Sequence, residues 1–203
     1  MNLITIDMET YYSKDYGLKK YTTEEYIRDD QFEVVGVAVK EGDGDTKWFS
    51  GSFEDTKAFL QSYDWEHSFA LGHNMRFDAA ILSWVFDIHP MGLFDTMGMG
   101  QVLHGLTNSV SLASLAEIYG IGQKGTEVED ALGKHRLDFS ADELARYGEY
   151  CKNDVELTHR LFNLMVHRIP RSELKVIDLT MRMFTEPKLV LDKMLLLKHL
   201  TLY

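Results

Sequence analysis

Cysteine, long apolar runs and basic charge are all scarce in this chain. A single cysteine, Cys151, among 203 residues excludes an internal disulfide framework and favours a reducing compartment. No basic segment followed by an apolar one opens the sequence, so no secretory signal is visible. The longest apolar stretch, around AAIL at 79–82, is too short to span a bilayer. We therefore expect a soluble cytoplasmic protein that has no membrane partner.

The balance of charge is acidic. Twenty-one Lys and Arg residues against 32 Asp and Glu residues give a net charge of −11. This charge disfavours a protein that holds DNA by electrostatic attraction alone. It suits a protein that holds several cations in a carboxylate cluster, although simple solubility is the commoner reason for such a charge.

Apolar residues are abundant enough for a core. A hydrophobic content of 45% with 12% aromatic residues argues against disorder, and 203 residues suit one domain, or one domain with an appendage. Strands are predicted at 3–7, 32–40, 46–50 and 68–74, and the turn-rich EGDGD at 41–45 joins the second and third into an antiparallel hairpin. The pattern as a whole predicts an α/β fold.

Helices are predicted between and after these strands. The first begins at about Phe53, and others cover 74–86, 109–119 with Gly120 just past its end, 140–168 and 172–184, with a last one reaching the C-terminus. Ser140 and Glu143 form a capping box at the start of the longest helix, and Pro170 ends that helix or kinks it. After Pro170 the composition becomes rich in Leu, Met and Lys.

Two acids end the first predicted strand. In LITIDMET (3–10), Asp7 and Glu9 are two residues apart, so both side chains point to one face of the sheet. Carboxylates placed this close repel each other unless a positive charge lies between them. Taken alone, a solvated strand end explains the pair better than a metal site does.

Two more pairs of polar residues occur at helical spacing. Asn74 and Asp78 are four residues apart at the predicted junction from the 68–74 strand into a helix, where a helix cap and the helix dipole also account for them. Tyr150 and Asp154 are four residues apart in the long helix and therefore share a face.

The three pieces together, in this order, resemble the DEDD superfamily of 3′→5′ exonucleases in its tyrosine-bearing subclass. The motifs are Asp7 with Glu9, Asn74 with Phe77 and Asp78, and Tyr150 with Asp154. The histidine subclass would carry His five residues before the last Asp, where this chain has Glu149. The resemblance implies a ribonuclease H-like three-layer fold, with a mixed central sheet flanked by helices and a C-terminal helical extension.

The resemblance also implies a mechanism with two divalent ions, Mg²⁺ with Mn²⁺ as a substitute. Carboxylate oxygens are the ligands that such hard ions prefer, and two ions about 4 Å apart stabilise both the attacking and the leaving oxygen of a phosphodiester. By resemblance, Asp7 bridges the ions, Glu9 and Asp154 complete one site, and Asp78 serves the other. Tyr150 would orient the attacking water and help to deprotonate it. Because a tyrosine pKa near 10 makes a poor base, the metal would supply most of the activation.

Contacts to the substrate are expected from Met8, Thr10, Asn74 and Phe77, although core packing is the better explanation for Phe77. The segment YYSKDYGLKKY (11–21) interleaves tyrosines with Lys14, Lys19 and Lys20, which suits single-stranded DNA. A surface loop with some packed tyrosines explains the segment equally well. The expected activity is 3′→5′ hydrolysis of single-stranded DNA ends to nucleoside 5′-monophosphates.

A narrower resemblance concerns IDLTMRMFTEPKLVLD (177–192), which is similar to the segment leading from the proofreading domain into the polymerase body of phage-type family A DNA polymerases. It implies an exonuclease domain at 1–170, a helical extension at 171–203, and a role in replication proofreading in a bacterial or phage-infected cell. A polymerase domain in cis or in trans is then a possible partner. The alternatives are an RNA 3′-exonuclease of the same superfamily and a non-catalytic nucleic-acid-binding or scaffold domain.

Overall fold

A mixed five-stranded sheet forms the centre of the protein. The computed structural model describes residues 2–105, 107–123, 125 and 131–201, and every structural statement below concerns these residues. The strands are β1 (Asn2–Thr10), β2 (Val34–Glu41), β3 (Lys47–Phe49), β4 (Ser68–Gly72) and β5 (Gly92–Asp95). Their order is β3-β2-β1-β4-β5. β1, β4 and β5 run parallel, whereas β2 pairs antiparallel with both β1 and β3.

Helices cover both faces of this sheet, which confirms the predicted three-layer α/β arrangement. The helices are α1 (Thr23–Arg28), α2 (Phe53–Gln61), α3 (Arg76–Phe86), α4 (Thr96–His104), α5 (Leu112–Tyr119), α6 (Ala141–Met165), α7 (Arg171–Thr185) and α8 (Lys193–Leu200). α6 has the capping box predicted for it, with Ser140 and Glu143 bonding to each other's backbone N–H groups. The prediction that the last helix reaches the C-terminus extends to 202–203, which lie outside the described residues.

Three elements were not predicted from the sequence: α1, β5 and α4. A capping box between Thr22 and Glu25 begins α1, and this signal is readable in the sequence. β5 is only four residues long, too short for a periodic pattern to stand out. α4 begins at once after it, capped by Asp95.

The residues of β1 alternate between two cores. Ile4, Ile6 and Met8 belong to the apolar cluster that also contains the buried residues of α3. Leu3, on the opposite face, packs with residues of α5 and α6. Because strand side chains alternate, Asp7 and Glu9 lie on the face that α6 covers.

The second half of β1 extends beyond its parallel neighbour. β1 pairs with β4 only over Asn2–Thr5, whereas its antiparallel pairing with β2 continues to Thr10, with an irregularity between Glu9 and Thr10. One edge of β1 beside Asp7 is therefore left open by the sheet. This edge is where the candidate site is found.

Helix α7 packs onto the same domain. The backbone N–H of Leu93 in β5 donates to the Asp178 carboxylate at 2.8 Å, and Met181 belongs to the core cluster shared with α3. The domain boundary predicted between residues 170 and 171 stays a prediction. None of the described helices combines the length and the apolar character needed to cross a membrane.

Candidate active site

The carboxylates of Asp7 and Glu9 each meet a donor from α6. The Tyr147 hydroxyl donates to Oε2 of Glu9 at 2.6 Å, and the Cys151 thiol lies 3.4 Å from both the backbone oxygen and Oδ2 of Asp7. Tyr147 and Cys151 are one turn apart on α6. Burial, reinforced by the charge of Glu9, raises the pKa of the Tyr147 hydroxyl, which therefore remains a donor.

Tyr150 and Asp154 face the same end of β1. Both side chains are buried, and they lie one turn apart on the same face of α6. Burial, followed by the negative charges of Asp154, Glu9 and Asp7, raises the pKa of Tyr150. Without a cation nearby the hydroxyl is therefore protonated, and it can orient a water but not remove its proton.

Asp78 reaches the site from the opposite face of the sheet. It lies in the first turn of α3, is almost fully buried, and accepts a hydrogen bond of 3.0 Å from the backbone N–H of Met8. Burial, and next the charge of Asp7, raise the pKa of the Asp78 carboxyl well above its usual value. The structure thus brings the sequence-predicted acids together from one strand and two helices.

Asn74 differs from the prediction. The sequence suggested that α3 begins at Asn74, but Asn74 has a left-handed backbone with φ of 63° and the helix begins at Arg76. The preceding strand ends at Gly72. The reason is Asp95, whose carboxylate accepts the backbone N–H groups of Asn74 at 2.8 Å and Met75 at 3.2 Å. These bonds fix a turn where the helix was expected to start.

The other predicted substrate residues are Phe77, Thr10 and Met8. Phe77 is half-buried, packs against the core and has its ring 6.0 Å from that of Tyr26. The Thr10 hydroxyl bonds the Tyr26 hydroxyl at 2.8 Å. The side chain of Met8 is buried and its N–H is occupied by Asp78, so Met8 can contact a substrate only through its other atoms.

Three residues of the site were not found by sequence reasoning: Tyr147, Cys151 and Asp95. Tyr147 and Cys151 lie on the same face of α6 as Tyr150 and Asp154, and this helical spacing was the available signal. Asp95 contacts Asn74 only because β5 lies beside β4, which the sequence pattern did not predict.

The donor set fits divalent cations. Ligand atoms of Asp7, Glu9 and Cys151 lie within 4.8 Å of one another, and burial, followed by the charge of Asp7, raises the pKa of Asp78. A cation would relieve this crowding of negative charge, and carboxylate oxygens are the ligands that Mg²⁺ prefers. The chemistry of these residues therefore agrees with a hard divalent metal ion.

Comparison with known proteins identifies a family. A family model described as 3′-5′ exonuclease matches residues 22–170. The matched range includes Asp78, Tyr150 and Asp154 and begins after Asp7 and Glu9. No curated protein sequence matches the chain.

Several solved structures share the fold. Brucella melitensis NrnC with bound Mg²⁺ has a TM-score of 0.59 and 20% identity, over 90% of this chain and 81% of that one. NrnC bound to pGG has a TM-score of 0.63 and 19% identity with the same coverage. Trypanosoma brucei RNase D in complex with RNA U12 has a TM-score of 0.67 and 15% identity, over 94% of this chain and 66% of that one. At these identities the likeness establishes the fold.

Proposed function

Since the chain belongs to the 3′-5′ exonuclease family, we propose that it hydrolyses the 3′ ends of single strands, with single-stranded DNA as its first candidate substrate. The observation that carries the proposal is the meeting of acids from β1, α3 and α6 at the open edge of β1. The residues proposed to do the chemistry are Asp7, Glu9, Asp78, Tyr150 and Asp154.

The four carboxylates are proposed to hold two divalent ions, Mg²⁺ or Mn²⁺. Asp7 would bind both ions, Glu9 and Asp154 one of them, and Asp78 the other. When bound, two such ions stabilise the attacking and the leaving oxygen of an in-line displacement. Asp78 is already held by the Met8 N–H, so the position of its carboxylate relative to β1 is set by the fold.

Tyr150 is proposed to orient the attacking water. Its raised pKa keeps the hydroxyl protonated, so the hydroxyl can donate to a water. The water oxygen would form a bond to phosphorus while the bond from phosphorus to the 3′ oxygen breaks. The 3′ oxygen keeps the electron pair and gains a proton. The released unit is then a nucleoside 5′-monophosphate, and the shortened strand ends in a 3′-hydroxyl.

A groove lies next to Glu9 in the sequence, beginning with its neighbour Thr10. It is a cavity of about 610 Å³ whose lining includes Thr10, Phe77, Tyr12, Lys14 and Lys19. We call it the lysine groove; Lys20 also lines it. Its cations stand out in a chain whose net charge is −11.

The tyrosines of the adjoining 11–21 segment are divided between two roles. Tyr16 is buried in the core, and Tyr11 stacks on His135 with ring centroids 3.7 Å apart. Tyr12 lines the groove instead. An aromatic face together with lysines suits a single strand, whose bases stack and whose phosphates attract cations. We propose that the strand approaches the acids along this groove, with Asn74, Phe77 and Thr10 nearest its 3′ end.

RNA is the second candidate substrate. It is favoured by the shared fold with RNase D in complex with RNA U12 and with NrnC bound to pGG. A protein distinguishes RNA from DNA by contacts to the 2′-hydroxyl, which the catalytic acids do not provide. The same proposed chemistry would cleave either strand.

Replication proofreading is the finer proposal. Its support is the resemblance of residues 177–192 to the segment that precedes a polymerase body, and we propose residues 1–170 as the exonuclease domain with 171–203 as the connecting extension. Leu189 and Val190 in this segment are 95% and 93% exposed, as expected of residues that another domain would cover. A non-catalytic role is disfavoured because all four acids and Tyr150 are retained.

Labelled single strands test the proposal. DNA and RNA of the same sequence, carrying either a 3′ or a 5′ label, are incubated with Mg²⁺ or with EDTA. We expect early release of the 3′ label as a mononucleotide, a ladder from the 5′-labelled strand, and no reaction in EDTA or with Asp7→Ala. Internal cuts, loss from the 5′ end, or activity retained by Asp7→Ala would overturn the proposal. The strand that is degraded at the higher rate identifies the preferred substrate, DNA or RNA.

A further inference from the structure

Tyr147 occupies a place in the site that the exonuclease chemistry does not account for. It lies three residues before Tyr150 on α6, and only 3% of its surface is exposed. Its hydroxyl donates to Oε2 of Glu9 at 2.6 Å, across 138 residues of sequence. A hydrogen bond to a carboxylate at this distance is short and strong.

Aromatic rings hold Tyr147 in one position. Phe139 stacks on its ring with centroids 5.5 Å apart and planes inclined by 10°, and Tyr150 lies at 6.3 Å and 17°. The edge of Trp48 meets the same ring at 6.4 Å. Because the ring is enclosed by these three neighbours, the hydroxyl is a fixed donor and its direction is set before any ligand arrives.

A fixed donor on one oxygen fixes the whole carboxylate. With Oε2 held by Tyr147, rotation of the Glu9 side chain would break a buried hydrogen bond, which is costly. The other oxygen is then presented in a constant direction. The arrangement is repeated one turn later on α6, where the Cys151 thiol lies 3.4 Å from Oδ2 of Asp7.

We propose that Tyr147 is a positioning residue that holds the Glu9 carboxylate in the orientation needed to bind a divalent metal ion. The inference rests on the proposed function, in which Glu9 is a metal ligand. Tyr147 itself touches neither the metal nor the strand. Groups that orient metal ligands in this way commonly contribute on the order of 10- to 100-fold to metal affinity.

Tyr147→Phe tests the proposal because it keeps the stacked ring and removes only the hydroxyl. Binding of Mn²⁺ is measured without nucleic acid, from the electron paramagnetic resonance signal of the free ion. We expect the half-saturating Mn²⁺ concentration to rise on the order of 10- to 100-fold. The exonuclease should need correspondingly more Mg²⁺, recover its rate at saturating Mg²⁺, and show an unchanged KM for the strand. A merely structural role would move the melting temperature and leave the metal titration as it was.

Tyr119→Phe is the matched control. The Tyr119 hydroxyl bonds His104 and Arg168 and contacts no acid of the site, so this variant should titrate like the wild type. A second comparison uses Glu9→Gln. If Tyr147 acts through Glu9, adding Tyr147→Phe to Glu9→Gln should weaken Mn²⁺ binding no further.

Two results would overturn the inference. One is a Tyr147→Phe protein with wild-type Mn²⁺ affinity. The other is a Tyr147→Phe substitution that weakens Mn²⁺ binding as much in the Glu9→Gln background as it does in the wild type. If either result is obtained while the wild-type protein binds Mn²⁺ and degrades strands, the proposed function still stands. A wild-type protein that neither binds Mn²⁺ nor degrades strands would instead overturn both.

Discussion

The indole ring of Trp48 lies directly against Gly148, where a Cβ would come within 2.6 Å of a ring carbon. The same ring covers Gly36 in β2, whose Cβ would lie 2.2 Å from it. Two glycines thus allow the side chain of Trp48 to fill the space between the sheet and α6. Since Gly148 lies between Tyr147 and Tyr150, this contact sets how closely α6 brings its site residues to β1.

Gly148→Ala should therefore disturb both stability and activity. The added methyl group must displace the Trp48 ring or α6, and overpacking of this kind costs about 1–3 kcal/mol. A gain of up to about 1 kcal/mol from the better helix propensity of alanine offsets part of this cost. We expect a lower melting temperature and a slower exonuclease, measured on one preparation.

Gly98→Ala in α4 provides the control for this prediction. Its Cβ would lie 3.3 Å from an Asp95 oxygen, a tight contact but a longer one than the 2.6 Å at Gly148, so we expect a smaller loss of stability and activity than for Gly148→Ala. Equal melting temperatures and rates for the two variants would show that Trp48 does not determine the position of α6.

Local periodicity predicted much of the site, and contacts between distant segments account for what it missed. Asp7 and Glu9 could be placed together because strand residues two apart share a face, and Tyr150 and Asp154 because helix residues four apart do. The left-handed turn at Asn74 could not be predicted, because it depends on Asp95 from a strand 21 residues away.

The same limit applies to the fold. The alternating FEVVGVAVK run and the capping boxes define β2, α1 and α6 locally, whereas β5 is four residues buried on every side. Its sequence, GLFD, has too few positions to show a period. The hydrogen bond between Tyr147 and Glu9 likewise joins α6 to β1, and no local sequence pattern shows that these two elements lie close together.

Tyr150→Phe should lower kcat on the order of tenfold to a thousandfold, the effect of losing a group that positions a proton transfer or a water. KM should change little, because the hydroxyl acts on the transition state and not on binding of the strand. Single-turnover and steady-state rates on a labelled strand measure both quantities. Tyr119→Phe again serves as the control, and an unchanged kcat for Tyr150→Phe would assign this tyrosine to packing.

Lys19→Ala should weaken binding of long strands and make it less sensitive to salt. Each phosphate contact that is lost should reduce the slope of log affinity against log salt by about 0.7 on a single strand. The rate at saturating substrate should stay near that of the wild type. Fluorescence anisotropy of a labelled strand, in Ca²⁺ to prevent cleavage, gives the slope. Lys57→Ala in α2 is the control, since Lys57 does not line the lysine groove, and equal slopes for both variants would exclude this path for the strand.

Asp78→Asn should make the metal-free protein more stable at neutral pH. Burial, and next the charge of Asp7, raise the pKa of Asp78 in the folded state well above the value of about 3.9 expected in the unfolded chain. Between these two pKa values the folded state binds more protons than the unfolded state, so the free energy of unfolding falls as pH rises. The asparagine oxygen can still accept the Met8 N–H, so the substitution removes the charge and keeps the hydrogen bond.

In EDTA, the melting temperature of the wild type should therefore decline from pH 4 to pH 8 relative to that of the variant. Mg²⁺ should stabilise the wild type more than the variant, because it neutralises the buried charge that only the wild type carries. If the melting temperatures of both proteins depend on pH in the same way, the Asp78 charge is not destabilised by burial. If Mg²⁺ stabilises both proteins equally, Asp78 is not part of the metal site.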